Sequence, residues 1–120
     1  MLNIQSQMKE LFGNSCYAYC MGYMQGLRDI KDLTRFVLQA WYDGYIKDDG
    51  YVEFPQKIMK CKDVRHVKYK PSATPQIVCW TYNGGTHFVV MQHDKVIFDP
   101  SGDSNTCKYG KIDTAREFIF

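Results

Sequence analysis

The chain has 120 residues, 45% of them hydrophobic, 23% charged and 15% aromatic, with a net charge of +2. Such a composition excludes an intrinsically disordered chain. The length predicts one domain over residues 1–120, burying roughly two thirds of the surface its unfolded form exposes. The balanced charge supplies no field that would draw nucleic acid or an anionic membrane, so neither is expected as a partner.

The N-terminal stretch MLNIQSQMKELFG lacks the basic start and continuous apolar run of a secretory signal. No apolar run reaches the roughly 18 to 20 residues needed to span a bilayer, so a cytoplasmic protein is expected. Cys16, Cys20, Cys61, Cys79 and Cys107 are odd in number and show no closely spaced framework, which favours reduced thiols.

The first element is SCYAYCMGYMQGL, residues 15–27, which leaves almost no polar face and predicts a helix buried on nearly every side. Asn14 and Ser15 are good caps, so the helix should open at about Cys16. Next, Ile30, Leu33, Phe36, Val37, Ala40 and Trp41 recur at spacings of three and four on a second helix, with Asp29 as its cap and Gly44 as its terminator. Pro55 suits the first turn of a short helix carrying Ile58 and Met59.

From Val64 the period changes to two. The alternating stretch through Lys70, then QIVCWTY, THFVVM and KVIFD, read as strands. Asn83-Gly84-Gly85 and the residues from Gln92 to Lys95 are placed to join them as tight antiparallel hairpins. The tail from Lys108 to Phe120 should add one or two further strands. Helices first and an antiparallel sheet after them make an α+β fold.

A cysteine in the first turn of a buried helix suits a nucleophile, because unpaired backbone N–H groups and the positive end of the helix dipole favour thiolate. The same N–H groups can receive a developing oxyanion. Of His66, His87 and His93, only His87 opens a strand directly after a glycine turn, where its ring faces a cleft; His66 lies in the basic stretch KCKDVRHVKYK and reads as solvated, and His93 falls in a turn. The start of one hairpin strand lies beside the end of the next, which brings Asp99 towards His87 and makes Cys16, His87 and Asp99 a candidate triad. Register decides the third member. A two-residue turn on His93 and Asp94 sets Asp99 opposite Phe88 and facing away from His87, whereas a loop of about three or five residues, or a bulge, restores the common face.

GNSCYAYC at the start of a buried helix, followed by GGTHFVVM and VIFDPSG, resembles the pattern of papain-like cysteine peptidases, and among them the bacteriocin-leader processing type. In that pattern a cysteine opens the central helix, a histidine opens a strand in an H-[FWY]-V-V context, and the acid is the Asp of a following D-P. The resemblance implies a single papain-like domain and a thiol hydrolase of peptide or amide bonds, with Cys16 as nucleophile, His87 as base and Asp99 as orienter. It also implies a glutamine oxyanion donor about six residues before the cysteine. Here Gln7 stands nine before it and Glu10 six before it, and Tyr17 replaces the usual following glycine. The stretch FDPSGDSNTCKYGKI, with THFVV before it, is also similar to a small phage and plasmid family of uncharacterised function.

The expectation is therefore a peptide or protein substrate, Gln7 as the oxyanion donor, and no cofactor or metal. Cys16, Cys20, Cys61, His66 and Cys107 lack the paired CxxC of a zinc site, and the basic stretch from Lys60 to Lys70 alternates as a solvated sheet face does. The alternative is a catalytically inactive papain-like module that binds a peptide or protein in the same cleft, as a phage or plasmid accessory protein would. In that reading Cys16 and His87 are core residues and Asp99 only begins the turn at Pro100.

Overall fold

The computed structural model describes residues 15–102 and 105–120. Among the described residues, four helices and five strands follow one another as α1 (Cys16–Met24), α2 (Ile30–Tyr42), α3 (Pro55–Met59), β1 (Asp63–Val67), β2 (Gln76–Tyr82), β3 (Gly85–Gln92), β4 (Lys95–Phe98), α4 (Asn105–Tyr109) and β5 (Lys111–Ile119). The strands form one antiparallel sheet in the order β1-β5-β2-β3-β4. The fold is α+β, and no helix among the described residues is long and apolar enough to cross a membrane.

α1 opens at Cys16 and buries Cys16, Ala18, Tyr19, Cys20, Met21 and Gly22. Its N-cap Ser15 makes no side-chain capping bond, so the helix is held by packing rather than by its cap. Asn14 lies outside the described residues. α2 is capped as its sequence predicts, with the Asp29 carboxylate accepting from the Lys31 N–H at 2.8 Å. Leu33, Val37 and Ala40 of the expected stripe are buried, but its ends, Ile30 and Trp41, are each 41% exposed. Thr34 is buried beside them and its hydroxyl bonds to that of Tyr19 at 3.2 Å, tying α2 to α1.

The sheet separates two apolar layers. On one face Ile77 and Val90 pack with Ala18, Cys20 and Met21 of α1 and with Leu33 and Val37 of α2, and Phe88 joins them. On the other face Val78, Val89, Met91 and Ala115 gather with Trp80, Ile112 and Cys107. Odd-numbered residues of β3 thus face one layer and even-numbered residues the other, as strand alternation requires.

β1 ends at Val67 rather than at Lys70. Residues 68–75 instead run along the tip of the β3–β4 hairpin, where the Tyr69 hydroxyl donates to Asp94 and the His93 N–H donates to the Ser72 carbonyl. The tail forms one strand after the short α4, and that strand is central: β5 pairs with β1 on one side and β2 on the other.

Candidate active site

The β3–β4 hairpin fixes the position of Asp99. His93 and Asp94 adopt φ of 52° and 62°, the left-handed pair of a two-residue turn whose twist matches that of the flanking strands. Gln92 then pairs with Lys95 and Met91 with Val96, but Val90 pairs with Phe98, so Ile97 is an extra residue bulged out of β4. Continued by one residue, the shifted register sets Asp99 level with Val89 and on the face of His87. A turn of two residues, which alone turns Asp99 away, is corrected by the bulge.

The outcome is a hydrogen bond of 2.7 Å between His87 Nε2 and Asp99 Oδ1, with the two side chains only 9% and 6% exposed. A carboxylate only accepts, so Nε2 carries the proton and Nδ1 is the lone-pair nitrogen of the neutral ring. Asp99 Oδ1 also accepts from the Ser101 N–H at 2.9 Å, and the Asp99 carbonyl accepts from the Gly102 N–H at 2.9 Å. Asp99 thus begins the turn and holds the ring at once.

Cys16 is the first residue of α1 and is 6% exposed. One helical turn on, the Cys20 thiol donates to the Phe88 carbonyl at 3.4 Å, which seats this side of α1 on the residue after His87. Cys16 lines a cavity of about 610 Å³ together with Thr86 and Phe88, the two neighbours of His87. Tyr17 stacks on Phe88 with ring centroids 4.4 Å apart. Phe88 and Val90 face α1, whereas His87 shares the face of Val89 and Met91. Thiol and imidazole therefore flank β3, beside the stretch that precedes the Val90 to Gln92 pairs with β4.

Burial pushes the Cys20 thiol well above the usual range, with smaller raising contributions from the neighbouring Cys16 and Asp99, and it also raises Cys79, where Arg116 pulls the other way. Burial likewise pushes the Tyr17 hydroxyl up to about 12, against the lowering influence of Arg116. His66 is exposed on β1 and lines the same cavity. His93 is exposed in the hairpin turn. Gln7, the expected oxyanion donor, lies outside the described residues. No group of three or more His, Cys, Asp or Glu side chains among the described residues is placed to hold a metal ion.

Sequence reasoning did not single out Arg116. It stands on β5 between Thr114 and Phe118, at a position that faces α1, and its guanidinium lies 5.1 Å from the Phe88 ring centroid and 5.9 Å from that of Tyr17. The available signal was a lone cation in the apolar-patterned tail TAREFIF.

Residues 2–120 match the family described as "Protein of unknown function, DUF261", and the chain belongs to that family. No curated protein and no solved structure matches it.

Proposed function

We propose that this DUF261 chain is a papain-like thiol hydrolase acting on a peptide or other amide. Cys16 attacks the carbonyl carbon, and His87 takes the thiol proton at Nδ1 and returns it to the leaving amine. Water then hydrolyses the acyl-enzyme with the same ring as base. Asp99 holds the ring through Nε2 and stabilises the imidazolium. The Cys16 backbone N–H and Gln7 serve the oxyanion.

The reading rests chiefly on one observation: the buried 2.7 Å bond that fixes His87 by Nε2 and leaves Nδ1 as the basic nitrogen. The helix-start cysteine whose cavity reaches both neighbours of that histidine supports it. Its test is the pH dependence of Cys16 alkylation in the natural chain and in His87→Ala.

A second reading keeps the fold and discards the chemistry: a peptide-binding module, of the kind a phage or plasmid accessory protein would be, that uses the same cavity. It is favoured by the burial of Cys16 and by Tyr17, whose ring stacks on Phe88 beside the thiol. An unreactive Cys16 in a chain that still binds peptide is its expected result.

A further inference from the structure

The cavity beside Cys16 has an uneven charge distribution. Asp49, Glu53 and Asp113 line it as exposed residues, whereas Arg116 lines it half-buried. One Arg116 terminal nitrogen donates to the Thr114 hydroxyl at 2.7 Å, and the guanidinium rests against the edge of the Tyr17–Phe88 stack. Its Nε is fully buried with no hydrogen-bond partner of good geometry, and the hydroxyl of Tyr17, which lines the same cavity, is likewise buried without one, although the two side chains lie close enough for Arg116 to lower the Tyr17 hydroxyl. The ion pairs among the described residues join Arg65 to Asp63 and His87 to Asp99, and neither involves Arg116.

A half-buried guanidinium that no carboxylate among the described residues pairs is costly, and nearby aromatic rings offset only part of that cost. Its buried Nε–H beside the Tyr17 O–H, with no partner beyond each other, gives donors and a positive charge in one place. That set matches a carboxylate, which accepts at both oxygens and neutralises the cation. The acidic mouth meanwhile disfavours polyanions such as nucleic acid or polyphosphate. We infer that Arg116, with the Tyr17 hydroxyl, is the binding residue for a carboxylate group of a peptide ligand in the Cys16 cavity. The inference rests on taking that cavity as the ligand cleft. Because Tyr17 directly follows Cys16, the bond offered to the thiol lies within a few residues of the bound carboxylate, which selects peptide ends or short acidic peptides over the middle of a neutral chain.

The test uses the full chain carrying Cys16→Ser, which removes turnover, with the Arg116 Nε–Hε signal followed by NMR. N-acetyl-Gly-Gly as the free acid is expected to move that signal saturably, and its C-terminal amide to bind at least about tenfold more weakly. With the Tyr17 backbone amide signal followed instead, Arg116→Gln should abolish the difference between acid and amide and Arg116→Lys should restore it only in part, since lysine keeps the charge but not the planar fork. N-acetyl-Glu-Gly amide identifies the source. A shift equal to that of the free acid assigns any carboxylate, and no shift assigns the peptide C-terminus. Acid and amide that bind equally, or that both leave the signal unmoved, overturn the inference, and this contrast in the Arg116 chain stands even if Arg116→Gln does not fold. A chain that binds the acid but has an unreactive Cys16 keeps this inference and loses the hydrolase; a reactive Cys16 with no preference for the acid does the reverse.

Discussion

His87 and Asp99 meet through a single bulged residue. Ile97 adds one position to β4 between the pairs Met91–Val96 and Val90–Phe98, and that one position decides which face of the sheet Asp99 occupies. Ile97 is 38% exposed, so the bulge contributes register more than packing. Ile97→Thr is expected to leave stability within about 0.5 kcal/mol. Deleting residue 97 should instead turn Asp99 away from His87. NMR of the ring distinguishes the two: the hydrogen-bonded Nε2–H signal should persist in Ile97→Thr and vanish on deletion.

Asp99 carries two bonds on one oxygen, to His87 Nε2 and to the Ser101 N–H. Asp99→Asn retains an Oδ1 acceptor for both, so the melting temperature should hardly change. Removing the carboxylate charge should still slow Cys16 alkylation near pH 6 by about tenfold or more. Asp99→Ala loses both bonds and should cost a further 0.5 to 2 kcal/mol, roughly what a lost cap costs. An Asn variant with unchanged alkylation would reduce Asp99 to a turn residue and the site to a Cys-His pair.

The starts of α1, α2 and α3, the hairpins and the α+β order were legible in the sequence because their signals are local. Asp29 before a periodic run, Pro55 in a first turn and Asn83-Gly84 between apolar strands each act within a few residues. What escaped was set by distant contacts. Nothing near TAREFIF says that β5 inserts between β1 and β2, and the last three residues of the basic stretch leave the sheet because they meet the β3–β4 turn. The Ile97 bulge is likewise invisible in KVIFD, although the need for such a bulge followed from the side-chain period. Arg116 went unnoticed because a single cation in an apolar strand has meaning only once the faces of the sheet are known.

Tyr17 connects the cavity to stability. Its hydroxyl is buried with no partner beyond the neighbouring Arg116 and is pushed up to about 12 by burial. The folded chain therefore holds this proton more tightly than the unfolded chain, whose tyrosines titrate near 10. Its contribution is fully present below about pH 10 and is lost as the pH rises through about 12. Tyr17→Phe should be neutral or stabilising by up to about 1 kcal/mol near pH 7, because an unsatisfied group is removed. It should also lose less stability between about pH 10 and 12. Equal alkaline losses in the two chains, measured by urea unfolding, would place the ionisation elsewhere.

Gly110 joins α4 to β5 where the backbones crowd. A Cβ there collides with the carbonyl oxygens of Thr81 and Thr106, and neither backbone atom moves without disturbing the β2–β5 ladder or the end of α4. Gly110→Ala should cost more than about 2 kcal/mol by forcing that shift. A thermal melt unchanged to within a degree would show that the junction has slack.

The central claim, that His87 activates Cys16, is tested most directly by the pH profile of Cys16 alkylation with iodoacetamide, each thiol being assigned by peptide mapping. Cys20 and Cys79, both held up by burial, should react slowly in any chain and serve as internal references. Cys16 is expected to react fastest, with a substantial rate persisting below about pH 7 in the natural chain. In His87→Ala that low-pH limb should disappear and leave only the rise of an ordinary thiol near pH 8 to 9. A Cys16 no faster than Cys20 and Cys79, or a profile that His87→Ala leaves unchanged, would contradict the account.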